Sequence, residues 1–264
     1  MTLILAVGLQ ACATTLLRGP AASADEQYTR AMENLGDGLY PEAIQGFGEL
    51  KTKFPYSKYA ALADLRVADT NFERGKYIEA VDGYRAFLKY HPAHEEAPYA
   101  MFRIGESYFE QIPGEWWFLP PPAEKDQANI RLAISSYRDF LTRYPTSKQA
   151  EDGRKRLDNC RRKLADHEIY VANFYYQREH WVAAALRAEG ALRDYPGLGL
   201  DVEALWLAAH SRFLANEPDA ARVSAERLVK EFPGTSEASK AQQLLASLPP
   251  PPGDLAPATT PTGR

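Results

Sequence analysis

Five prolines set the frame of this sequence. Pro55, Pro92, Pro145, Pro196 and Pro233 follow one another at intervals of 37, 53, 51 and 37 residues. Twelve residues before each stands an alanine: Ala43, Ala80, Ala133, Ala184 and Ala221. Directly before the prolines come Phe54, His91, Tyr144, Tyr195 and Phe232, and eight residues before the first three come Phe47, Tyr84 and Tyr137. These offsets share one face of an α-helix. The alanine is small where two helices cross, the aromatics fill the space beside it, and the proline ends the helix because it has no N–H and disfavours helical geometry in the residue before it.

The partner helix of each hairpin is marked in the same way. Thirteen residues after Pro55, Pro92 and Pro196 stand Ala68, Gly105 and Ala209, with Ala31 at the equivalent point of the first repeat and Asp158 in the fourth. Ser57, Ser147 and Thr235, two residues after their prolines, are expected to cap the next helix. Gly36 to Tyr40, Arg74 to Tyr77 and Asn216 to Pro218 supply tight turns between paired helices, each resembling the link of a tetratricopeptide hairpin. In repeat four the first helix is expected to run from about Ser147 to Gln177, with an apolar line through Ala150, Gly153, Leu157, Cys160, Leu164, Val171 and Phe174 that breaks near His167. The fold expected is all-α, a right-handed solenoid of about five tetratricopeptide hairpins, which explains how 264 residues avoid dividing into two globular cores.

At the N-terminus an apolar stretch from Leu3 to Leu9 leads into Gln10, Ala11 and Cys12. It is too short to span a bilayer and has the form of a signal segment ending in a lipobox. In that class of precursor Cys12 carries the acyl chains, and Ala13 after it resembles lipoproteins sent to the outer membrane. No Lys or Arg precedes the apolar stretch, which leaves room for a true start upstream. The organisation expected is a signal peptide over 1–11, a flexible linker over 12–24, and repeats one and two with the first helix of repeat three over 25–111. An inserted aromatic and Pro-rich loop over 112–127 follows, then the C-terminal repeats over 128–247 with the long helix 147–177, and a disordered Pro-rich tail over 248–264.

The stretch from Ala133 to Pro196 is the most distinctive. It contains Tyr137-Arg138-Asp139-Phe140, Arg143-Tyr144-Pro145-Thr146-Ser147, Val171-Ala172-Asn173-Phe174-Tyr175-Tyr176, Trp181-Val182-Ala183 and Arg193-Asp194-Tyr195-Pro196. Together with the lipobox and the repeats, roughly residues 12 to 247, this closely resembles the BamD family, the tetratricopeptide lipoproteins of the outer-membrane β-barrel assembly machinery. The resemblance implies a scaffold lipid-anchored to the periplasmic face of the outer membrane. Its partners would be the barrel-forming subunit, met through that subunit's POTRA region, other lipoproteins of the machinery, and unfolded outer-membrane proteins whose C-terminal targeting segments enter the N-terminal repeats. The aromatic insertion and the Pro-rich tail depart from the family pattern.

With a formal net charge of −4 the chain carries no long-range field for nucleic acid, and no nucleic-acid partner is expected. Neither a cofactor nor a catalytic constellation is found. His91, His94, Glu95 and Glu96 match no standard metal site and sit in an inter-repeat turn, so no metal is expected. Cys160 lies on an apolar helix line and is read as packing. The basic run Arg154, Lys155, Arg156, Arg161, Arg162 and Lys163 is either a solvated face or a contact for an acidic partner. Two adjacent Trp cannot both enter one helical core, so Trp116, Trp117 and Phe118 form a candidate partner or membrane loop.

By the repeat frame, Tyr28, Met32, Leu35, Leu65, Asp69, Phe72, Tyr99, Phe102, Glu106 and Phe109 face the groove, an apolar set suited to an aromatic-ended extended peptide. Docking of the larger subunit is placed at Trp181 and Arg187. Arg187 lies three residues after Ala184, on the edge opposite the inward-packing Ala185, Ala188 and Ala191, with its guanidinium free for a partner carboxylate. Two other classes compete: a tetratricopeptide lipoprotein of another envelope complex, such as a secretin pilotin or a cell-wall or division coordination factor, and an envelope hydrolase. The hydrolase would need a nucleophile with a base, paired carboxylates or a metal, none of which is found, so the chain is not expected to be an enzyme.

Overall fold

The computed structural model describes residues 21–113 and 126–250. Among these residues all regular structure is α-helical, and the chain divides into two compact units after Ser107. The first contains α1 (Ala24–Gly36), α2 (Tyr40–Lys53), α3 (Lys58–Glu73), α4 (Tyr77–Tyr90) and most of α5 (Ala97–Phe109). The second contains α6 (Ala128–Arg143), α7 (Ala150–Gln177), α8 (Trp181–Asp194), α9 (Asp201–Leu214), α10 (Pro218–Glu231) and α11 (Ser236–Ser247). The signal segment with Cys12, the loop residues Trp116, Trp117 and Phe118, and residues 251–264 of the tail lie outside the described residues.

The proline frame translates directly into helix ends. Phe54, His91, Tyr144, Tyr195 and Phe232 are the C-caps of α2, α4, α6, α8 and α10, all with φ near −130° and ψ between 48° and 59°. Each cap N–H still donates to the carbonyl four residues back, after which the proline leaves the next position without a donor. The turns within hairpins share a second device. Gly38, Gly75, Glu179 and Asn216 have φ of 74°, 71°, 62° and 60°. The residue after each donates to a carbonyl five back: Leu39 to Asn34, Lys76 to Asn71, His180 to Tyr175 and Glu217 to Arg212, at 2.8 to 3.0 Å. This is the 6→1 bond of a Schellman motif, and it satisfies a terminal carbonyl while reversing the chain.

The five frame alanines are fully buried, as are Phe47, Tyr84 and Tyr137. Ala188 and Ala225 take the aromatic position in the last two repeats, also fully buried. Close helix crossing is visible at glycines: a methyl on Gly46 would lie 3.0 Å from the Ala31 Cβ, and one on Gly83 only 2.8 Å from the Ala68 Cβ. Gly153 admits the Phe140 ring in the same way, since a Cβ there would meet it at 2.8 Å. Around these crossings Ala31, Ala43, Phe47, Leu50 and Ala63 form a core in the first unit. In the second, Ile169, Leu192, Leu205, Ala209, Leu228 and Leu244 belong to one larger core.

Three local expectations are corrected. Thr235 caps α11 through its side chain, but Ser57 makes no side-chain capping bond and Ser147 lies outside α7, which starts at Ala150. In both serine turns the backbone N–H bonds back to the carbonyl before the proline, so the turn holds itself. Val171 and Phe174 are not on the buried line of α7; past Leu164 that line runs through Ala165, Ile169 and Ala172, and Phe174 is 41% exposed. The face shifts because α7 meets α6 near its start, where Gly153 admits Phe140, and α8 near its end, where Ala172 is buried with Ala188. For the same reason the small crossing residue of repeat four is Ala172, buried with Ala188, Leu207 and Ala208, while Asp158 is exposed. The longer helix carries the crossing point further along the chain.

Candidate protein-binding surfaces

In the first unit, Asp69 on α3 is the centre of a buried polar network. Its carboxylate accepts from the Tyr84 hydroxyl at 2.7 Å, the Tyr99 hydroxyl at 3.0 Å and the Arg66 guanidinium at 2.5 Å. Arg103 on α5 donates to Tyr84 at 3.1 Å and to Glu73 at 3.2 Å, and its guanidinium lies 3.6 Å above the Phe72 ring. Arg66 also donates from Nε to the Tyr28 hydroxyl at 3.1 Å. One carboxylate thus ties α3 to α4 and α5 while two guanidinium groups are held mostly buried.

The electrostatics follow from that packing. Burial alone would lower the pKa of Arg66, but its bond to Tyr28 and the Asp69 charge outweigh it and hold the group above its ordinary value. The same opposition, with Tyr84, Tyr99 and Asp69 prevailing over burial, raises Arg103. Burial and the Asp69 charge push Tyr84 and Tyr99 up, so both remain hydroxyl donors at any physiological pH.

The network forms one wall of a cavity of about 620 Å³, lined further by Met32, Leu35, Asp37 and Tyr40. The expected groove set is therefore only partly gathered here. Met32, Leu35, Asp69 and Tyr99 line the cavity; Tyr28 stacks on Tyr59 at 4.7 Å; Phe72 lies beneath Arg103 and meets Tyr77 edge-on at 5.2 Å. Leu65 is fully buried, Glu106 is buried and Phe102 half-buried, while Phe109 belongs to the second unit, where the Arg156 guanidinium covers its ring at 4.3 Å. The lining is not apolar throughout: it mixes Met32, Leu35, Tyr40 and Tyr99 with Arg66, Arg103 and Glu73. Those two arginines were missed. The signal lay in the spacing, with Arg66 three residues before Asp69 and Arg103 four after Tyr99 on their helices.

In the second unit, Trp181 packs edge-on against Tyr176 at 5.1 Å, in a cluster completed by His210, whose ring stacks on Trp206 and whose Nδ1 lies 2.7 Å from the Tyr176 hydroxyl. Ala185, Ala188 and Ala191 are buried as expected. Arg187, however, is not free. It donates to Glu168 at 3.0 Å across the α7–α8 pair, with its own side chain 46% exposed, because the antiparallel helices bring the two charges face to face. The basic run is also largely engaged within the chain: Arg154 with the Pro145 carbonyl, Lys155 with Glu151, Arg161 with Asp158, and Arg162 with Asp166 and the Leu198 carbonyl. Cys160 is fully buried. His91 and His94 pack on Phe87, and His94 accepts from the Glu96 N–H at 3.1 Å.

A family model described as YfiO, outer membrane lipoprotein, matches residues 20–222. A curated protein of Haemophilus influenzae, outer membrane protein assembly factor BamD, is 28% identical over 193 residues, which cover 70% of this chain and 72% of that one. Its namesake in Neisseria gonorrhoeae is 24% identical over 246 residues, covering 88% and 90%. Among solved structures, the TPR2AB domain of yeast Sti1 in complex with an Hsp90 peptide aligns at 14% identity and a TM-score of 0.42, covering 83% of each chain.

Proposed function

Because the chain belongs to the YfiO family of outer membrane lipoproteins, we propose that it is an outer-membrane protein assembly factor, a helical-repeat scaffold that binds other proteins and performs no catalysis. It is anchored by lipid at Cys12 to the periplasmic face of the outer membrane. No helix among the described residues is long and apolar enough to cross a membrane. The observation that carries this reading is the family match over residues 20–222, which spans the cavity of the first unit.

In this proposal the first unit receives the C-terminal segment of unfolded barrel proteins. An extended peptide offers an aromatic side chain and a carboxylate; the cavity offers Met32, Leu35, Tyr40 and Tyr99 to the first, and to the second the guanidinium nitrogens of Arg66 and Arg103 that are not bonded to Tyr28, Asp69, Tyr84 or Glu73. The second unit docks on the POTRA region of the barrel-forming subunit around Trp181 and Arg187. The Glu168 bond uses one terminal nitrogen of Arg187 and leaves the guanidinium half exposed for a second carboxylate. Trp116, Trp117 and Phe118 are proposed as a contact for a further partner or for the membrane.

Site-specific photocrosslinkers at Met32, Leu35 and Tyr40, which line the cavity, test the client groove. Each should capture the C-terminal peptide of an unfolded barrel protein during its assembly. Labelling confined to α8–α11 would remove the first unit from the client path.

A further inference from the structure

The second unit carries a pocket that neither the client groove nor the Arg187 patch uses. It is a concavity of about 290 Å³ with Ile134 and Leu164 among its lining residues and with Arg131, Ser135, Arg138, Asp139 and Tyr195 around them. Positions 131, 134, 135, 138 and 139 recur at three- and four-residue steps, so one face of α6 supplies most of the site, while α7 gives Leu164 and the C-cap of α8 gives Tyr195. The apolar pair is buried, at 7% and 4% exposure, whereas both arginines are open to solvent.

The two guanidinium groups have no carboxylate partner among the described residues. The acids near Tyr195 are already taken: Glu168 by Arg187 at 3.0 Å and Asp194 by Arg193 through two bonds of 2.9 Å. Several other arginines of this unit are held by acids within the chain, Arg212 by Glu189 and Glu217, Arg162 by Asp166, Arg227 by Glu231. Arg131 and Arg138 thus keep their donor forks for something outside it. We propose that this pocket seats an acidic side chain of a partner protein's extended segment, with the carboxylate between Arg131 and Arg138 and its methylenes over Ile134 and Leu164.

Charge and shape select that occupant over a phosphate-bearing one. Two arginines less the carboxylate of Asp139 leave one net positive charge, which a single carboxylate balances and a phosphate dianion exceeds. Ser135 and Tyr195 add hydroxyl donors; burial raises the Tyr195 pKa against the opposing charges of Arg131 and Arg138, so the phenol stays protonated. The apolar base suits the stem of Glu and gives a lipid headgroup no complementary surface. This inference stands whether or not Arg187 meets the barrel subunit.

The test uses the full-length, membrane-anchored chain with a photocrosslinking residue at Ser135, and mass spectrometry of the adduct peptide. The expected adduct carries Asp or Glu within two residues of the attachment point. Yield should fall at least tenfold in Arg131→Glu/Arg138→Glu, and also in Arg131→Gln/Arg138→Gln, with helicity and melting unchanged. Replacing the captured acid by Arg should restore it in the Glu pair. A lipid adduct, an adduct to a segment without an acid, a yield indifferent to both arginine pairs, or no adduct would each overturn the proposal.

Discussion

Gly83→Ala and Gly48→Ala make the same chemical change on helices of the same unit, and their difference measures the close crossing on which the repeat depends. Both positions lie inside helices, where replacing Gly by Ala gains about 1 kcal/mol of intrinsic helix stability. At Gly48 an added methyl meets nothing within 4 Å, so the gain should appear undiminished. At Gly83 it would sit 2.8 Å from the Ala68 Cβ and 3.3 Å from its Cα. Neither atom can rotate away, so the helices must separate, and overpacking of that kind costs about 1–3 kcal/mol. The expected result is Gly48→Ala stabilised by about 1 kcal/mol, Gly83→Ala destabilised by about 1 kcal/mol, and a gap of about 1–3 kcal/mol between them. Urea unfolding followed by circular dichroism at 222 nm reads both. The double variant Ala68→Gly/Gly83→Ala exchanges the methyl across the contact and should recover most of the loss. Equal stabilisation by both single variants would refute the crossing argument.

Three further outcomes are expected. Asp69→Ala leaves two mostly buried guanidinium groups facing one another and should cost about 3 kcal/mol, the lower end for a broken buried pair because Arg66 and Arg103 keep some solvent; a loss below about 1 kcal/mol in urea unfolding would show that water replaces the carboxylate. Glu179 occupies the left-handed turn position that Gly38 and Gly75 hold elsewhere, so Glu179→Gly should stabilise by about 0.5–1 kcal/mol, and a lower melting temperature would contradict the strain assigned to it. Burial lowers the His210 pKa below its ordinary 6.5, so the folded state disfavours the imidazolium: stability should be full above pH 6.5 and fall as pH drops through the folded-state value, and His210→Gln should flatten the pH dependence of melting, whereas unchanged curves would remove His210 as the cause.

What was legible in the sequence was whatever the repeat imposes on several copies at once. The frame alanines and the pre-proline caps could be read because five copies constrain the same offset, and the aromatic positions because three do. The crossing residue of repeat four was missed because the offset was counted forward from the proline, across the extended first half of α7; counted back from the frame alanine, Ala172 stands twelve residues before Ala184, as Ala31, Ala68 and Ala209 stand before Ala43, Ala80 and Ala221. Ser57 and Ser147 show the limit of propensity: both follow a proline turn closed through its own backbone, as Thr235 does, yet only Thr235 caps its helix through the side chain. The Arg66–Asp69–Arg103 network escaped because its partners come from four helices, α1, α3, α4 and α5, and one copy of a polar constellation leaves no periodicity. The pairing of Arg187 with Glu168 depends on the register of the α7–α8 pair, which the spacing within α8 alone does not give.

The central claim is that this chain works as a scaffold within an outer-membrane assembly complex. Affinity purification of the full-length protein from detergent-solubilised envelopes, with quantitative mass spectrometry, tests it most directly. The account predicts stoichiometric recovery of a large β-barrel protein bearing periplasmic POTRA domains, together with further lipoproteins. Recovery of a secretin, of cell-wall enzymes, or of the chain alone would contradict it.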